Sequence, residues 1–460
     1  MTKKRILLNA FEMNCPSHQS PGLWSHPDSE AHRYTDIDYW IELAKLLEAA
    51  QFDSIFLADV LGPYDVYEGT RDASLRQAVQ SPVNDPLLVV PAMAAVTKNL
   101  GFGVTASVTH EHPYTFARRM STLDHLTKGR VGWNIVTSYL KSAALNMGLD
   151  KQIDHSERYD IAEEYLNVCY KLWEQSWEED AVVRDPKRKV YINPEKVHDI
   201  NHQGKHFSVP GAHLCEPSPQ RTPVIFQAGL SPRGADFAAE HAEGIYISMP
   251  TADIAKKYVK KIRSQAETFG RKRDEIKIFS LFMPIVGRTQ AEAEEKYNDY
   301  KKYISHEGAL SLFSGWTGID LSEYDLDEDL QFVENDSIRS RVEIFTKVDP
   351  DKKWSIKEIA EFVGIGGIGP VVVGTPERIA DEMERWVNEA DVDGFNITYA
   401  VKPGSFKDFA ELVVPVLQER GLVRKQSEAT TMRANLFEAG DQLPEHHAGK
   451  RFSSKIPVDQ

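Results

Sequence analysis

The residues best equipped for chemistry fall in a few short runs. Gln227-Ala228-Gly229-Leu230-Ser231-Pro232-Arg233-Gly234 follows the apolar run Pro223 to Phe226 and opens a helix over Ala235 to His241. Small residues let backbone N–H groups approach an anion, Ser231 caps, and Pro232 suits a first helical turn, a combination that points to a phosphate. An ordinary capped helix start explains Ser231-Pro232 but not the Gln-Ala-Gly before it. A second run, Trp133-Asn134-Ile-Val-Thr137-Ser138, ends an apolar strand with a row of hydrogen-bonding side chains. Buried strands avoid Asn and hydroxyls unless these find partners. Either a flat heteroaromatic ligand or an internal network would supply them. Asp59, which ends Ser54 to Ala58, is open between ligand contact and helix cap.

Two other runs suggest chemistry that their context opposes. Gly364 to Gly369 fits the GxGxxG pattern, but a dinucleotide site needs a strand before it and a helix after it. Here Pro370-Val-Val-Val-Gly374 follows, which reads as a strand, so no nicotinamide site is expected. His110-Glu-His112 at a strand end could begin a metal site. The matching strand ends hold Asp59, Asn134 and Ala228, an incomplete ligand set, so no metal is expected.

The elements that must position these residues alternate. Strands are expected at Ile6–Phe11, Ser54–Ala58, Gly101–Thr109, Arg130–Val136, Pro223–Ala228, Gly244–Ser248, Ile276–Ile285 and Gly394–Thr398. Helices are expected at Asp36–Ala50, Pro86–Lys98, Thr115–Leu126 and Arg158–Trp173. Eight strands separated by helices, without a fixed-period repeat, indicate an α/β protein: a (β/α)8 TIM barrel with insertions at its C-terminal face. One barrel domain over 1–425 is expected, with insertions at about 61–85, 177–222 and 305–371 and a C-terminal arm over 426–460. Such insertions shape a barrel's site.

Composition bounds the rest. The 460 residues are 41% hydrophobic and 27% charged, which excludes a disordered or disulfide-framework chain. A net charge of -15 argues against nucleic acid and anionic lipid as partners. Cys15, Cys169 and Cys215 are odd in number and widely spaced, so no disulfide framework is expected. The longest apolar stretch, Pro86 to Val96, is too short to span a bilayer, and no signal peptide is read at the basic start. A cytoplasmic protein is the expectation.

Longer motifs carry a resemblance: Asn9-Ala-Phe-Glu-Met-Asn-Cys15, Phe56-Leu-Ala-Asp59, Met120 through Arg130, Trp133 through Ser138, His155-Ser-Glu-Arg-Tyr159, His213 through Pro223, Gln227 through Ser231, Val373 through Glu377 and Asp393-Gly-Phe395. Over about residues 3 to 425 the chain resembles the bacterial-luciferase-like flavin monooxygenases. Its branch holds the nitrilotriacetate and dibenzothiophene-sulfone monooxygenases, and within it the long-chain alkane monooxygenases look most similar.

The resemblance implies an FMN site. Asp59 and Ser107 would flank the isoalloxazine ring, with Asn134 and Ser138 at its edge. His155, Tyr159, Ala228, Gly229, Leu230 and Ser231 would hold the phosphate, while Arg158 would organise the helix presenting Tyr159. FMN would arrive reduced, as FMNH2, from a separate NAD(P)H:FMN reductase, and react with O2 to a C4a-(hydro)peroxide. One oxygen atom would enter a small, mostly apolar substrate, with a long-chain alkane leading and a sulfone, amine or flavin as alternatives. A non-catalytic flavin-binding barrel is the alternative of a different class. In the alkane branch a Cys, a Tyr, a Gln and two His line the substrate pocket. Cys15, Tyr64 and Gln80 match, whereas Tyr139 and about Leu312 stand at the histidine positions and His306 lies near the second. His18 is a substitute proton donor. Among cations the first insertion holds only Arg71 and Arg76, which disfavours polycarboxylate substrates. The resemblance also implies a homodimer or homotetramer.

Overall fold

The structure, a computed structural model, describes residues 4–229, 231–330, 353–427 and 429–455. Eight parallel strands form a closed ring: β1 (Leu7–Met13), β2 (Ser54–Ala58), β3 (Gly101–Ser107), β4 (Val131–Val136), β5 (Val224–Gln227), β6 (Gly244–Ile247), β7 (Lys277–Val286) and β8 (Gly394–Ile397). Each pairs with its neighbour in sequence, and Leu7 opposite Gly394 closes the circle. The molecule is therefore a (β/α)8 barrel. Its strands are buried on both faces, which is why they read as continuous apolar runs rather than alternating ones.

Helices α1 (Ile37–Ala49), α2 (Val90–Ala95), α3 (Pro113–Thr127), α4 (His155–Tyr170), α5 (Pro232–His241) and α6 (Ala252–Thr268) follow the first six strands in turn. In α1 the Asp36 side chain accepts from the Asp38 amide, and Tyr39, Trp40, Leu43, Ala44 and Leu47 form the buried face. Helix α4 starts three residues before its apolar periodicity suggests and runs into a π turn, Lys171–Gln175. The expected Pro86–Lys98 helix is split into a 3-10 turn, Pro86–Leu88, and α2.

The insertions have their own structure. The first carries a short helix, Asp72–Arg76; the second carries two small antiparallel ladders; the third carries α7 (His306–Thr317) and a helix over Ile356–Val363. Residues 331–352 of the third lie outside the described residues. The glycine run Gly364 to Gly369 leads into a strand, Val371–Gly374, paired to the upper half of β7. Gly367 has φ 64°, and a Cβ there would lie 2.2 Å from Gln19 Oε1, so this turn needs glycine to pack on the loop after β1. Helix α8 (Pro376–Ala390), capped by Thr375, then leads into β8.

Inside the barrel, Phe56, Phe226 and Tyr246 stack with centroids 4.2 and 5.1 Å apart. Gly132 and Gly244 make room for Phe226: a Cβ at either would fall within 2.6 Å of its ring. Below them, Met432 and Leu436 close the N-terminal end. They belong to the chain after residue 425, which folds back on the barrel through a helix, Met432–Phe437. Arg433, fully buried, donates to both Glu243 carboxylate oxygens at 2.7 and 2.9 Å and to the Thr222 carbonyl at 3.0 Å. No described helix is long and apolar enough to cross a membrane.

Candidate functional site

Closing one end of the barrel directs the site to the other. At the C-terminal ends of the strands lies a cavity of about 300 Å³. At one end of it, the N-termini of α4 and α5 meet. Ser231 caps α5, its Oγ accepting from the Gly234 amide at 3.1 Å and lying 3.3 Å from His155 Nε2 on α4. Gln227 Oε1 accepts from the Gly229 amide at 2.8 Å. Tyr159 is buried with its hydroxyl against two glycines: a Cβ on Gly229 or Gly234 would sit 2.9 or 2.5 Å from it. Backbone amides, two helix N-termini, a histidine and a tyrosine hydroxyl make an anion cradle. Leu230 lies outside the described residues.

Along the wall, Asn134 Nδ2 donates to Thr105 Oγ1 at 3.0 Å, while its Oδ1 is buried without a partner. A buried carbonyl oxygen left orphaned on a cavity-lining residue is costly unless a ligand N–H meets it. Ser138 stands in the left-handed region, φ 55°, held by Ser107 Oγ at 2.8 Å and by Arg158, whose guanidinium donates to the Ser138 carbonyl. Arg158 also lines the cavity, so it does more than organise α4. Ser107 reaches the first cavity only through Ser138; its own side chain faces a second cavity.

Deeper in, Tyr64 Oη donates to Gln80 Oε1 at 3.0 Å and lies 2.7 Å from Tyr139 Oη, and Gln80 Nε2 donates to the His18 carbonyl at 3.0 Å. Because the Tyr64 proton goes to Gln80, Tyr139 donates to Tyr64. The His18 ring stands edge-on to Phe11, 4.4 Å between centroids. Leu61, Leu140, Ala143, Leu281 and Trp316 give this end its apolar surface. Asp59 lies between the two cavities, and its carboxyl is pushed up to about 7, first by burial and then by nearby Asp85.

Cys15 is placed elsewhere. It is fully buried behind the wall and does not line the cavity. Burial pushes its thiol up to about 12, which makes it a poor nucleophile. Its carbonyl accepts from Lys402 Nζ at 2.6 Å, and Lys402 also pairs with Glu12 at 3.2 Å, both fully buried. Leu312 is buried inside α7, His306 is exposed at its start, and Trp316, one turn after Leu312, reaches the cavity. Arg71 is exposed and Arg76 is paired with Glu307 at 2.6 Å.

The His110-Glu-His112 run is drawn apart. His110 faces the second cavity, Glu111 pairs with Arg119 at 2.8 Å, and His112 Nδ1 accepts from the Tyr114 amide to cap α3. Among the described residues, Glu163, Glu240 and His241 are close enough to share a metal, but Arg233 and Arg451 already pair with these carboxylates.

Sequence reasoning missed Thr105, Trp316 and Asn396 on the cavity wall. Thr105 and Asn396 were accessible to the rule that singled out Asn134, a polar side chain in a buried strand. Trp316 had no such signal, because an insertion placed it.

A family model described as luciferase-like monooxygenase matches residues 11–393. The dimethyl-sulfide monooxygenase of Hyphomicrobium sulfonivorans is 55% identical over 95% of this chain and 92% of its own. The long-chain alkane monooxygenase of Geobacillus thermodenitrificans is 52% identical over 98% of each. The solved structure of a riboflavin lyase with modified FMN and riboflavin superposes with a TM-score of 0.91 at 36% identity, covering 98% of this chain and 99% of that one.

Proposed function

The chain belongs to the luciferase-like monooxygenase family, and on that premise we propose that it is the oxygenase of a two-component system, taking FMNH2 from a separate NAD(P)H:FMN reductase. The observation that carries the flavin reading is the pairing of a cradle with an orphan acceptor. Tyr159 against Gly229 and Gly234 would hold the phosphate with His155 and Ser231, and Asn134 Oδ1 would meet a ring N–H. Bound reduced flavin would supply the activation of O2, so that one oxygen atom passes to an acceptor and the other leaves as water.

The chain's own residues do the rest. Arg158 and Ser107 hold Ser138 at the ring edge. Trp316, Leu281, Leu140 and Ala143 exclude water from the acceptor end. Tyr139 donates to Tyr64 at the acceptor end of the cavity. The apolar walls favour an apolar acceptor, and the 55% identity to a dimethyl-sulfide monooxygenase puts a short dialkyl sulfide ahead of a long alkane.

Fluorescence titration with FMN, then oxygen uptake with a generic flavin reductase and NADH, tests both parts. Tyr159→Phe should weaken FMN about tenfold, the effect of one charge-assisted hydrogen bond. Dimethyl sulfide should be oxygenated faster than a C16 alkane. Flavin binding with peroxide release and no oxygenated product from sulfide, sulfone, amine or alkane would instead identify a flavin-binding barrel. A homodimer or homotetramer and a cytoplasmic setting beside the reductase are part of the same proposal. Light scattering checks the oligomeric part.

A further inference from the structure

Beside the flavin cavity lies a second one, of about 540 Å³, that the reaction outlined above does not use. The two share Asp59, Val60, Leu61, Gln80 and Thr105 in their walls. The far rim of the second is formed by exposed residues, Arg119, Asn146 and Met147, so it opens to solvent. Asp59 is the carboxyl common to both, and no cation is paired with it among the described residues. We propose that Asp59 is the proton-exchanging group of the flavin site and that the second cavity is its water-filled access to bulk solvent. This rests on the flavin reading of the first cavity.

Reduced flavin gives such a group a use. The two hydrogens that leave it end in water, so protons must be carried between the flavin side and the departing oxygen, and a carboxyl shared by two cavities can take up and give up a proton there. A hydronium ion in the second cavity would give its proton to the Asp59 carboxylate, forming the neutral acid and leaving water. The same proton would then leave toward the flavin side and restore the carboxylate, with no electrons moved. The reverse sequence exports a proton. A group that passes protons both ways works best when its two forms are near balance at working pH. Asp59 meets that condition, because burial and Asp85 bring it to about 7.

Its surroundings support the assignment. Facing it from the second cavity are Asp85, His110 and the Glu111–Arg119 pair. His110 has a buried Nε2 without a partner, and burial holds its ring below the ordinary histidine range, so it adds little positive charge at neutral pH. Arg119 is neutralised by Glu111 at 2.8 Å. On the flavin side stand Arg158, His155, His18 and the tyrosines 64, 139 and 159. The cations nearest the flavin therefore belong to its phosphate end and to Ser138, leaving Asp59 unpaired.

The test measures flavin binding rather than turnover. FMN affinity is followed by fluorescence from pH 5.5 to 8.5 in the wild type, Asp59→Asn and Asp85→Asn. A carboxylate at the ring should weaken binding, so the difference between wild type and Asp59→Asn should show affinity falling about tenfold as pH rises through about 7. That is the size of a one-unit pKa change on binding. Asp85→Asn should move the step to lower pH. Taking the difference removes titration of the phosphate and His155. Val83→Trp, and Met147→Trp at the exposed rim, plug the second cavity; each should leave FMN affinity within twofold but slow the fluorescence response to a pH jump at least tenfold. Superimposable wild-type and Asp59→Asn profiles, or pH-jump rates untouched by both plugs, would overturn the proposal. If Asp59→Asn binds no FMN, the Asp85→Asn profile decides, and an unmoved step overturns it. Wild type that binds no FMN at any pH would overturn the flavin reading itself.

Discussion

Tyr139 donates to Tyr64, Tyr64 to Gln80 and Gln80 to the His18 carbonyl, so one proton direction runs through four residues. Removing the first donor breaks the chain without touching the anion cradle. Tyr139→Phe should therefore leave FMN affinity within twofold and lower acceptor-dependent oxygen uptake with dimethyl sulfide about tenfold, as one lost hydrogen bond in a buried network implies. Asp59 gives a residue-scale prediction of the opposite kind. Its folded-state pKa of about 7 lies above the unfolded value near 3.8, so the folded state binds the extra proton between these pH values. Stability from this group is present at low pH and lost as pH rises through about 7. Asp59→Asn should accordingly raise Tm relative to wild type at pH 8, and much less at pH 4, in parallel thermal melts.

At the scale of elements, the α5 N-terminus works because Gly234 has no side chain where Tyr159 arrives from α4. Gly234→Val should displace the tyrosine and abolish measurable FMN binding while leaving the far-UV circular dichroism unchanged; retained affinity would remove Tyr159 from the cradle. The barrel strands were legible because each is buried on both faces and reads as an apolar run, and β2 falls at the residues expected. The start of α4 was less legible: His155 to Glu157 are polar and exposed or half-exposed, so its first turn has no apolar periodicity to announce it. Within the site, local motif chemistry located Ser231 and Asn134, whose roles depend on their own strand ends. Cys15 is not legible as a wall-backing residue, because sequence position after β1 does not reveal that Lys402, 387 residues later, draws its carbonyl behind the wall. Trp316 escaped for the same reason: only tertiary packing brings α7 to the cavity.

For the whole molecule, the Arg433–Glu243 pair joins the C-terminal segment to the floor of the barrel. Arg433→Met would leave Glu243 buried without its counter-ion and should lower unfolding free energy by about 3–5 kcal/mol in a urea titration. Adding Glu243→Leu should recover part of that loss. The same segment carries His447, whose Nε2 donates to the His241 carbonyl at 2.8 Å while Nδ1 accepts from the Gly449 amide at 3.1 Å. This arrangement requires a neutral ring, and burial followed by the Arg271 charge holds it down to about 3. His213 is likewise held down to about 4, by burial and then by His125. Both folded values lie below the unfolded value near 6.5, so the stability they contribute is intact above that pH and is lost as pH falls toward 4. Urea midpoints should drop between pH 6.5 and 4, and His447→Gln should flatten the drop.

Ring closure also shapes how the chain is made. β1 has β8 as one of its two neighbours, and β8 begins at residue 394. On a ribosome adding about 5–20 residues per second, the free edge of β1 waits roughly 20 to 80 s for that partner. Through that interval it exposes the sequence Leu-Leu-Asn-Ala-Phe-Glu-Met, mostly apolar and ready to pair with another nascent chain. Slower translation, or synthesis at higher temperature, lengthens or worsens that exposure. Expression yield of this protein should therefore depend on chaperones that cover strand edges during synthesis more than on the stability of the finished barrel.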